Sequence, residues 1–172
     1  MWFTTATINS WQQLLADNEN KDIIIDYLKW MHEHDRARIH AFVIMPNHFH
    51  MVWNACVGYT IESNMANLLR FTASRYRKKL LITNPTQLEY YKSTQVDRQI
   101  HIWERRKKSM FCKNLLIATN KIDYCHNNPI REQWKLSETP EGYHYSSAAY
   151  YANLPSPFNF ITHYLDYRSG KA

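Results

Sequence analysis

The segment Val43-Ile44-Met45-Pro46-Asn47-His48-Phe49-His50 joins two strand-like runs and carries a histidine pair directly after the junction. Proline cannot donate a hydrogen bond to a strand ladder, so Pro46 marks a tight turn or bulge, and the two runs predict a β-hairpin. Successive side chains on a strand point to opposite faces at a rise of about 3.3 Å per residue. We therefore expect His48 and His50 on one face, where both imidazoles can reach one metal ion, and Phe49 in a core.

The rest of the chain alternates strand and helix patterns around this hairpin. Strands are predicted at 2–8, 36–45, 47–55 and 98–104, and helices at 20–34, 61–81 and 114–128. The order β-α-β-β-α-β-α predicts an α+β fold in which helices pack on one face of an antiparallel sheet. Turn-forming residues dominate after Pro129, so we expect an irregular C-terminal tail.

Composition narrows the possible functions. The 172 residues carry a net charge of +6 and only three glycines, which argues against a Gly-rich phosphate loop and favours a polyanionic partner. The three cysteines show no C-x-x-C spacing, which predicts reduced thiols. No apolar run approaches the roughly 18 residues of a membrane helix. The N-terminus lacks a signal-peptide pattern, so we expect a cytoplasmic protein with no membrane partner.

The spacing of the histidine pair is by itself weak support for a metal site. Nine histidines in 172 residues give about 0.5 His-x-His triplets by chance. The same spacing occurs at His32-Glu33-His34, but that triplet lies in a predicted helix, where residues two apart do not face each other. A metal or catalytic role for His48 and His50 therefore needs support from other residues.

Two basic clusters indicate a nucleic-acid partner. The first lies on the helix at 61–81 and comprises Arg70, Arg75, Arg77, Lys78 and Lys79. The second follows the predicted strand at 98–104 and comprises Arg105, Arg106, Lys107 and Lys108. Trp103 and Phe111 flank the second cluster, and aromatics beside cations suit single-strand binding, in which bases stack and phosphates are neutralised. One such cluster alone is more often a solvated helix face. Two clusters with a positive net charge leave both interpretations open.

Tyr124 and Asn128 form the second candidate constellation. They lie four residues apart on the predicted helix at 114–128 and are therefore adjacent on one face. Tyr124 points away from the apolar stripe of this helix, which comprises Leu115, Ala118, Ile122 and Cys125. Tyr143 and Tyr145 are alternative candidate tyrosines, but they lie in turn-rich sequence and have no asparagine four residues further on.

Four segments together resemble a known family. They are AFVIMPNHFHMVW (41–53), IWERR (102–106), KIDYCHNNPIR (121–131) and PEGYHYSSAAYY (140–151). In this order they resemble the single-tyrosine HUH transposases, in particular the REP-associated tyrosine transposase branch, over nearly the whole chain. Cys125 replaces the aliphatic residue usual after the tyrosine, and both are small apolar fillers.

The resemblance implies an activity and a role for each motif. His48 and His50 match the metal-ligating histidines, Tyr124 the nucleophile and Asn128 the third polar metal contact. The implied enzyme nicks and rejoins single-stranded DNA at hairpins of repetitive extragenic elements through a 5′-phosphotyrosine, with Mg²⁺ or Mn²⁺. The implied fold is a ferredoxin- or RRM-like sheet with helices on one side. The catalytic domain would span 1–130, and a tail at 131–172 would pack near the DNA-binding face.

The resemblance also implies partners. We expect single-stranded or hairpin DNA, no small organic cofactor, a bacterial cytoplasmic or nucleoid location, and a monomer with Tyr124 acting in cis; a homodimer acting in trans stays open. One alternative is a nucleic-acid-binding module of the same fold without catalysis. Another is an unrelated metal-dependent hydrolase, against which the lack of a clustered Asp/Glu pair near the histidines counts.

Overall fold

The structure, a computed structural model, describes residues 1–92, 100–105 and 108–168. Four antiparallel strands form one sheet in the order β2-β3-β1-β4, and their bounds are β1 Trp2–Thr7, β2 Ala37–Ile44, β3 His48–Ala55 and β4 Lys108–Phe111. The helices are α1 Asn18–Glu33, α2 Ile61–Thr83, α3 Leu115–His126, α4 Ala148–Tyr151 and α5 Tyr164–Arg168. Short 3-10 turns lie at Asn9–Trp11, Leu14–Ala16 and Pro85–Tyr91. The predicted α+β class and antiparallel sheet are confirmed.

The predicted hairpin is present, and its turn is held by backbone hydrogen bonds. Met45 N–H donates to the carbonyl of His48 at 2.8 Å and closes the turn between β2 and β3. The carbonyls of Pro46 and Asn47 accept hydrogen bonds from Leu15 and Ile8, at 2.9 and 2.8 Å. The N-terminal segment therefore fixes the loop that carries the histidine pair.

The two faces of the sheet differ in what covers them. We call one the packed face, which includes Thr4, Ala6, Phe49, Met51 and Trp53, and the other the histidine face, which includes Phe3, Thr5, Thr7, His48 and His50. On the packed face, Phe49 meets Trp103 at 5.5 Å between ring centroids. Tyr76 of α2 lies 6.2 Å from the same indole and donates a hydrogen bond to the carbonyl of Asn20 in α1. Helices α1 and α2 thus share the packed face.

Helix α3 differs from the predicted one-sided arrangement, because it lies across the histidine face. The histidine face has an apolar half, in which Ala41, Val43 and Val52 are all fully buried. Ala118, Ile122 and Cys125 form the buried stripe of α3, and the helix contacts β1, β2 and β3. Burial of that apolar half requires a cover, and α3 supplies it. This placement brings Tyr124 to the histidines.

The prediction of a regular strand at 98–104 was wrong for the residues that the structure describes there, 100–105. Ile100 and Trp103 form only isolated bridges, with Lys92 and Ile8. Glu104 N–H still donates to the carbonyl of Thr7, so the segment follows the end of β1. The fourth strand is instead β4, because its residues pair in register with Trp2–Thr5. The alternating sequence pattern predicted an extended segment correctly, but it did not show which segment would pair with β1 as the fourth strand.

The C-terminal segment covers the open edge of β2. Ile44 N–H donates to the carbonyl of Tyr145 at 2.9 Å, and Ser147 N–H donates to the carbonyl of Phe42 at 3.0 Å. Thr162 N–H donates to the carbonyl of Ile39 at 2.9 Å. An unpaired edge strand would expose a row of hydrogen-bonding groups, so this contact satisfies β2. A domain boundary near residue 130 stays a prediction.

In the part of the chain that the structure describes, no helix combines the length and apolar character needed to cross a membrane. Cys56, Cys112 and Cys125 all lie within the described ranges, and all three are free thiols.

Candidate active site

His48 and His50 lie side by side on the histidine face, with 4.7 Å between their ring centroids. Both are buried, with 7% and 5% of their surface exposed. The Nδ1 atom of His48 lies 2.7 Å from Oδ1 of Asn47. Because an amide oxygen only accepts, Nδ1 carries the proton and Nε2 keeps its lone pair. His50 is also held through its Nδ1 atom, which lies 2.7 Å from Oγ1 of Thr5.

Around this site, three buried nitrogen atoms have no hydrogen-bond partner in the part of the chain that the structure describes. They are Nε2 of His50, Nδ2 of Asn128 and Nε2 of His101, and all three residues line one cleft. An unpaired buried polar atom costs free energy, and such atoms at one place fit a bound ligand. A half-turn about χ2 exchanges the amide nitrogen and oxygen of Asn128, so this side chain can present an oxygen at the same place. Two imidazoles and an amide oxygen are a donor set that fits a divalent cation.

Both histidines are held in the neutral form that binds metals. Burial lowers the pKa of His48 to about 4. Burial also lowers the pKa of His50 to about 3, with smaller contributions from the charges of His48, Arg131 and Lys121. Metal ligation by histidine requires the neutral imidazole, so proton competition at the site is weak at neutral pH.

Tyr124 points to the same place from α3. Its ring lies 5.1 Å from that of His50 and 5.9 Å from that of Phe3. The guanidinium of Arg131 lies 4.4 Å above the ring of Tyr124, and the ammonium of Lys121 lies 5.5 Å from it. Its hydroxyl makes no hydrogen bond to any residue within the described ranges. Two cations beside the ring of a tyrosine attract an anionic group, such as a phosphate, to its neighbourhood.

These groups line one open cleft of about 1040 Å³. Its cationic residues are Lys92, Arg105, Lys108, Lys121 and Arg131. Among the described residues that line it, Glu104 is the single acid, and its carboxylate accepts a hydrogen bond from the backbone N–H of Ser10 at 2.8 Å. Two indoles, of Trp11 and Trp134, also line the cleft. A cleft with cations and aromatic rings suits a polyanion that carries bases.

The predicted DNA-binding residues are divided between different surfaces. Arg105 and Lys108 line the cleft, while Arg106 and Lys107 lie outside the described residues. Arg70 lines an adjoining hollow of about 620 Å³ that also contains His101, Glu104 and Arg105. The remaining cations are exposed on α2, behind the packed face and outside the cleft; they are Arg75, Arg77 and Lys78.

The prediction that Trp103 faces DNA needs correction. Only 7% of its surface is exposed, and its ring packs between Phe49 and Tyr76. Its indole N–H donates to Thr72 Oγ1 at 3.0 Å. Position next to a basic run suggested a stacking ring, but the pairing of residue 103 with Ile8 turns the side chain into the core.

Other cleft residues were missed in the sequence. Lys121 precedes Tyr124 by three residues, so helical spacing alone could have brought it to the same face. Arg131 follows the predicted ligand Asn128 closely, although in a segment without regular structure. No local signal identifies Trp11 or Thr5, which come from the N-terminal quarter of the chain.

The rival candidates have structural roles. Tyr143 is buried and donates a hydrogen bond to the carbonyl of Ile44 at 2.7 Å, and burial raises its pKa. Tyr145 donates to Asp22 at 3.0 Å, and burial and this carboxylate raise its pKa to about 12. Within the described ranges, no group of three or more His, Cys, Asp or Glu side chains is arranged to hold a metal. A metal here would depend on the neutral amide of Asn128 as third donor.

Comparison with known proteins identifies a similar fold. A scan against protein-family models and a search of curated proteins each found no match. One solved structure, described as a REP-associated tyrosine transposase bound to a REP hairpin, is 19% identical to this chain. The match has a TM-score of 0.59 and covers 94% of this chain and 84% of that chain. The sequence motifs and the structure therefore lead to the same conclusion, that this chain is similar in fold to a REP-associated tyrosine transposase.

Proposed function

We propose that this protein is a metal-dependent DNA transesterase that nicks and rejoins single-stranded DNA at hairpins through a covalent bond to Tyr124. The observation that carries the proposal is the position of Tyr124. Its ring centroid lies 5.1 Å from that of His50, whose buried Nε2 has no hydrogen-bond partner within the described ranges. The structural neighbour, described as bound to a REP hairpin, supports DNA of this kind as the substrate.

The reaction exchanges one phosphodiester for another. The hydroxyl oxygen of Tyr124 attacks the phosphorus and loses its proton, while the bond from phosphorus to the 3′ oxygen breaks. The products are a 5′-phosphotyrosine and a 3′ oxygen that takes up a proton to become a free hydroxyl. Because the covalent bond retains the phosphodiester energy, attack by a 3′ hydroxyl can reverse the step and rejoin strands.

The chain's own residues position the reactants and stabilise charge. Arg131 and Lys121 lie against Tyr124, where they favour the negative charge of the attacking oxygen and the phosphate. Thr5 orients His50 and Asn47 orients His48, in each case through the Nδ1 atom of the histidine. A divalent cation, Mg²⁺ or Mn²⁺, held by His48, His50 and Asn128 would polarise the scissile phosphate.

The cations of the cleft suggest a path for the DNA backbone. Lys108 and Arg105 line the cleft, and Arg105 continues into the hollow that contains Arg70. Phosphates can follow this line from β4 toward α2. The exposed α2 residues Arg75, Arg77 and Lys78 line neither the cleft nor the hollow, so we expect them to add weak, sequence-independent attraction.

A covalent adduct tests the proposal. Purified protein with a DNA hairpin that has a single-stranded flank, in Mn²⁺, should give a protein–DNA adduct stable to denaturation. Tyr124→Phe should abolish the adduct, and the matched control Tyr90→Phe should retain it, because Tyr90 is exposed and outside the cleft. An adduct that persists in Tyr124→Phe, or cleavage without any adduct, would contradict the assignment.

Metal binding has a readout that is independent of activity. Mn²⁺ should raise the thermal midpoint of the wild-type protein, because a ligand that binds only the folded state stabilises it. The increase should disappear in His48→Ala. Stabilisation that survives this substitution would locate the ion elsewhere.

The arrangement within one chain supports a tyrosine that acts in cis. Tyr124 and His50 of the same chain are in contact distance. A mixture of Tyr124→Phe and His50→Ala proteins should therefore form no adduct, because each chain lacks one half of the site. Restored activity in the mixture would show that the tyrosine serves a partner chain.

A further inference from the structure

Trp11 stands at the mouth of the cleft in an unusual backbone conformation. Its φ is +57°, and that of Ser10 is +54°, so two consecutive non-glycine residues adopt the left-handed region. This region is sterically unfavourable for a side chain with a Cβ atom, most of all for a bulky one. The indole is nevertheless 63% exposed, so burial of the ring does not offset the strain. Strain retained for an exposed aromatic ring points to a ligand.

The loop at Trp11 is held by hydrogen bonds that connect it to the histidine pair. Ser10 N–H donates to the carboxylate of Glu104 at 2.8 Å. Nδ2 of Asn47 donates to the carbonyl of Trp11 at 3.3 Å, while Oδ1 of the same amide accepts from His48. One asparagine therefore holds both the backbone of Trp11 and the imidazole of His48, so the fold sets where the Trp11 backbone lies relative to His48.

The ring of Trp11 lies beside the proposed reacting centre. Its centroid is 6.3 Å from that of His48, and the ring of Trp134 lies 5.7 Å from the same imidazole. Trp134 is half-buried, so Trp11 presents the larger free surface. Lys92, Arg105 and Lys108 line the same cleft and supply cations for the phosphates on either side of a base. Every nucleobase has a face that stacks on an aromatic ring.

We propose that Trp11 is the stacking residue for one unpaired nucleobase of DNA bound in this cleft, beside His48. The proposal rests on DNA as the substrate of this cleft but not on cleavage by Tyr124. A base paired within a stem is not free to stack on a protein ring, so the site selects single-stranded DNA at this position. Trp11 is a positioning residue, since it binds a base and does not contact the reacting atoms.

Substitutions at Trp11 separate stacking from support of the fold. Asparagine tolerates the left-handed conformation, so Trp11→Asn should leave the thermal midpoint unchanged or raise it. The same variant should bind a labelled DNA hairpin with a single-stranded flank about tenfold more weakly, the order expected for loss of one stacked base. Trp11→Phe should remain within about threefold of wild type, because it keeps a ring. The control Tyr90→Asn, an exposed ring outside the cleft, should bind normally.

Abasic probes identify the base and isolate the interaction. Binding is measured in the Tyr124→Phe background without metal, so the result does not depend on whether the wild type cleaves DNA. One abasic position in the flank should weaken binding of Tyr124→Phe by about tenfold and should add nothing in the protein that also carries Trp11→Asn. Additive losses at every position would overturn the proposal, as would a thermal midpoint that falls together with affinity. Coupling at one position without any adduct in wild type would support stacking and refute the transesterase.

Discussion

On the packed face of the sheet, the indole N–H of Trp53 donates a hydrogen bond to Thr4 and that of Trp103 donates one to Thr72, both at 3.0 Å. On the histidine face, by contrast, the buried Nε2 atom of His50 has no hydrogen-bond partner among the described residues. The two faces are formed by alternate residues of the same strand. One face pairs its buried polar groups and packs against α1 and α2. The other keeps donor atoms available beside a cationic cleft. The difference indicates that stability depends mainly on the packed face and ligand binding on the histidine face.

Among the substitutions that compare the two faces, substitution of His50 should have the largest effect. It should lower activity without lowering stability. His50→Leu should lower adduct formation roughly a thousandfold, because metal-assisted charge stabilisation contributes several kcal/mol. Its thermal midpoint without metal should be unchanged or raised, since a buried nitrogen without a partner is removed. Adduct assays and thermal unfolding measure the two effects. Loss of both activity and stability would mean that the histidine face also supports the fold.

Phe49, which precedes His50 in the sequence, should show the opposite behaviour, because its substitution should lower stability and leave activity unchanged. Phe49 is 1% exposed and packs against Trp103, so Phe49→Ala should lower the free energy of unfolding by roughly 3 kcal/mol or more. Adduct formation per folded molecule, measured well below the unfolding transition, should remain near that of wild type. Urea unfolding gives the stability change. A variant that keeps its stability but loses activity would contradict the division between the faces.

His126 is a buried histidine that, unlike the Nε2 atom of His50, has a hydrogen-bond partner among the described residues. Its Nε2 lies 2.8 Å from Ser147 Oγ, and burial lowers its pKa to about 4. Between about pH 4 and the ordinary histidine pKa near 6.5, the unfolded chain binds a proton at this residue that the folded chain does not. The contribution of His126 to stability is therefore complete above about pH 6.5 and is lost as the pH is lowered below that value. The metal-free protein should lose about 2 kcal/mol through this group between pH 7 and pH 5.

The measurement is urea unfolding at several pH values. His126→Gln should reduce the loss of stability between pH 7 and pH 5 by that amount, while the other buried histidines still contribute to the acid sensitivity. An unchanged pH dependence in His126→Gln would show that His126 titrates normally.

Two adjacent threonines on β1, Thr4 and Thr5, compare the two faces of the sheet with the smallest expected effects. Thr5 contacts His50 on the histidine face, whereas Thr4 accepts a hydrogen bond from Trp53 on the packed face. Thr5→Val should lower adduct formation about tenfold, because the ring of His50 loses its orienting partner. Thr4→Val should instead cost about 1 kcal/mol or more of stability by leaving an indole N–H unpaired, with activity retained. Equal effects of the two substitutions would erase the distinction between the faces.

Much of this fold could be predicted from local patterns. Alternation and a proline identified the hairpin, and the spacing of apolar residues identified α1, α2 and α3. The short fourth strand was predicted wrongly, because β4 has four exposed residues and no apolar alternation. Trp103 was assigned to the surface for a similar reason, since its burial depends on contacts with Phe49 and Tyr76 that are distant in sequence.

The sequence by itself determined that His48 and His50 share a face and that Tyr124 and Asn128 lie one helical turn apart, because both relations follow from the periods of strand and helix. Only the tertiary structure decided that α3 lies on the histidine face and brings Tyr124 to His50. The placement of Arg131, Lys121 and Trp11 around that tyrosine and histidine was decided in the same way. The physical reason is that packing of a helix on a sheet depends on which apolar surface needs cover, a property of the assembled sheet that no short segment contains.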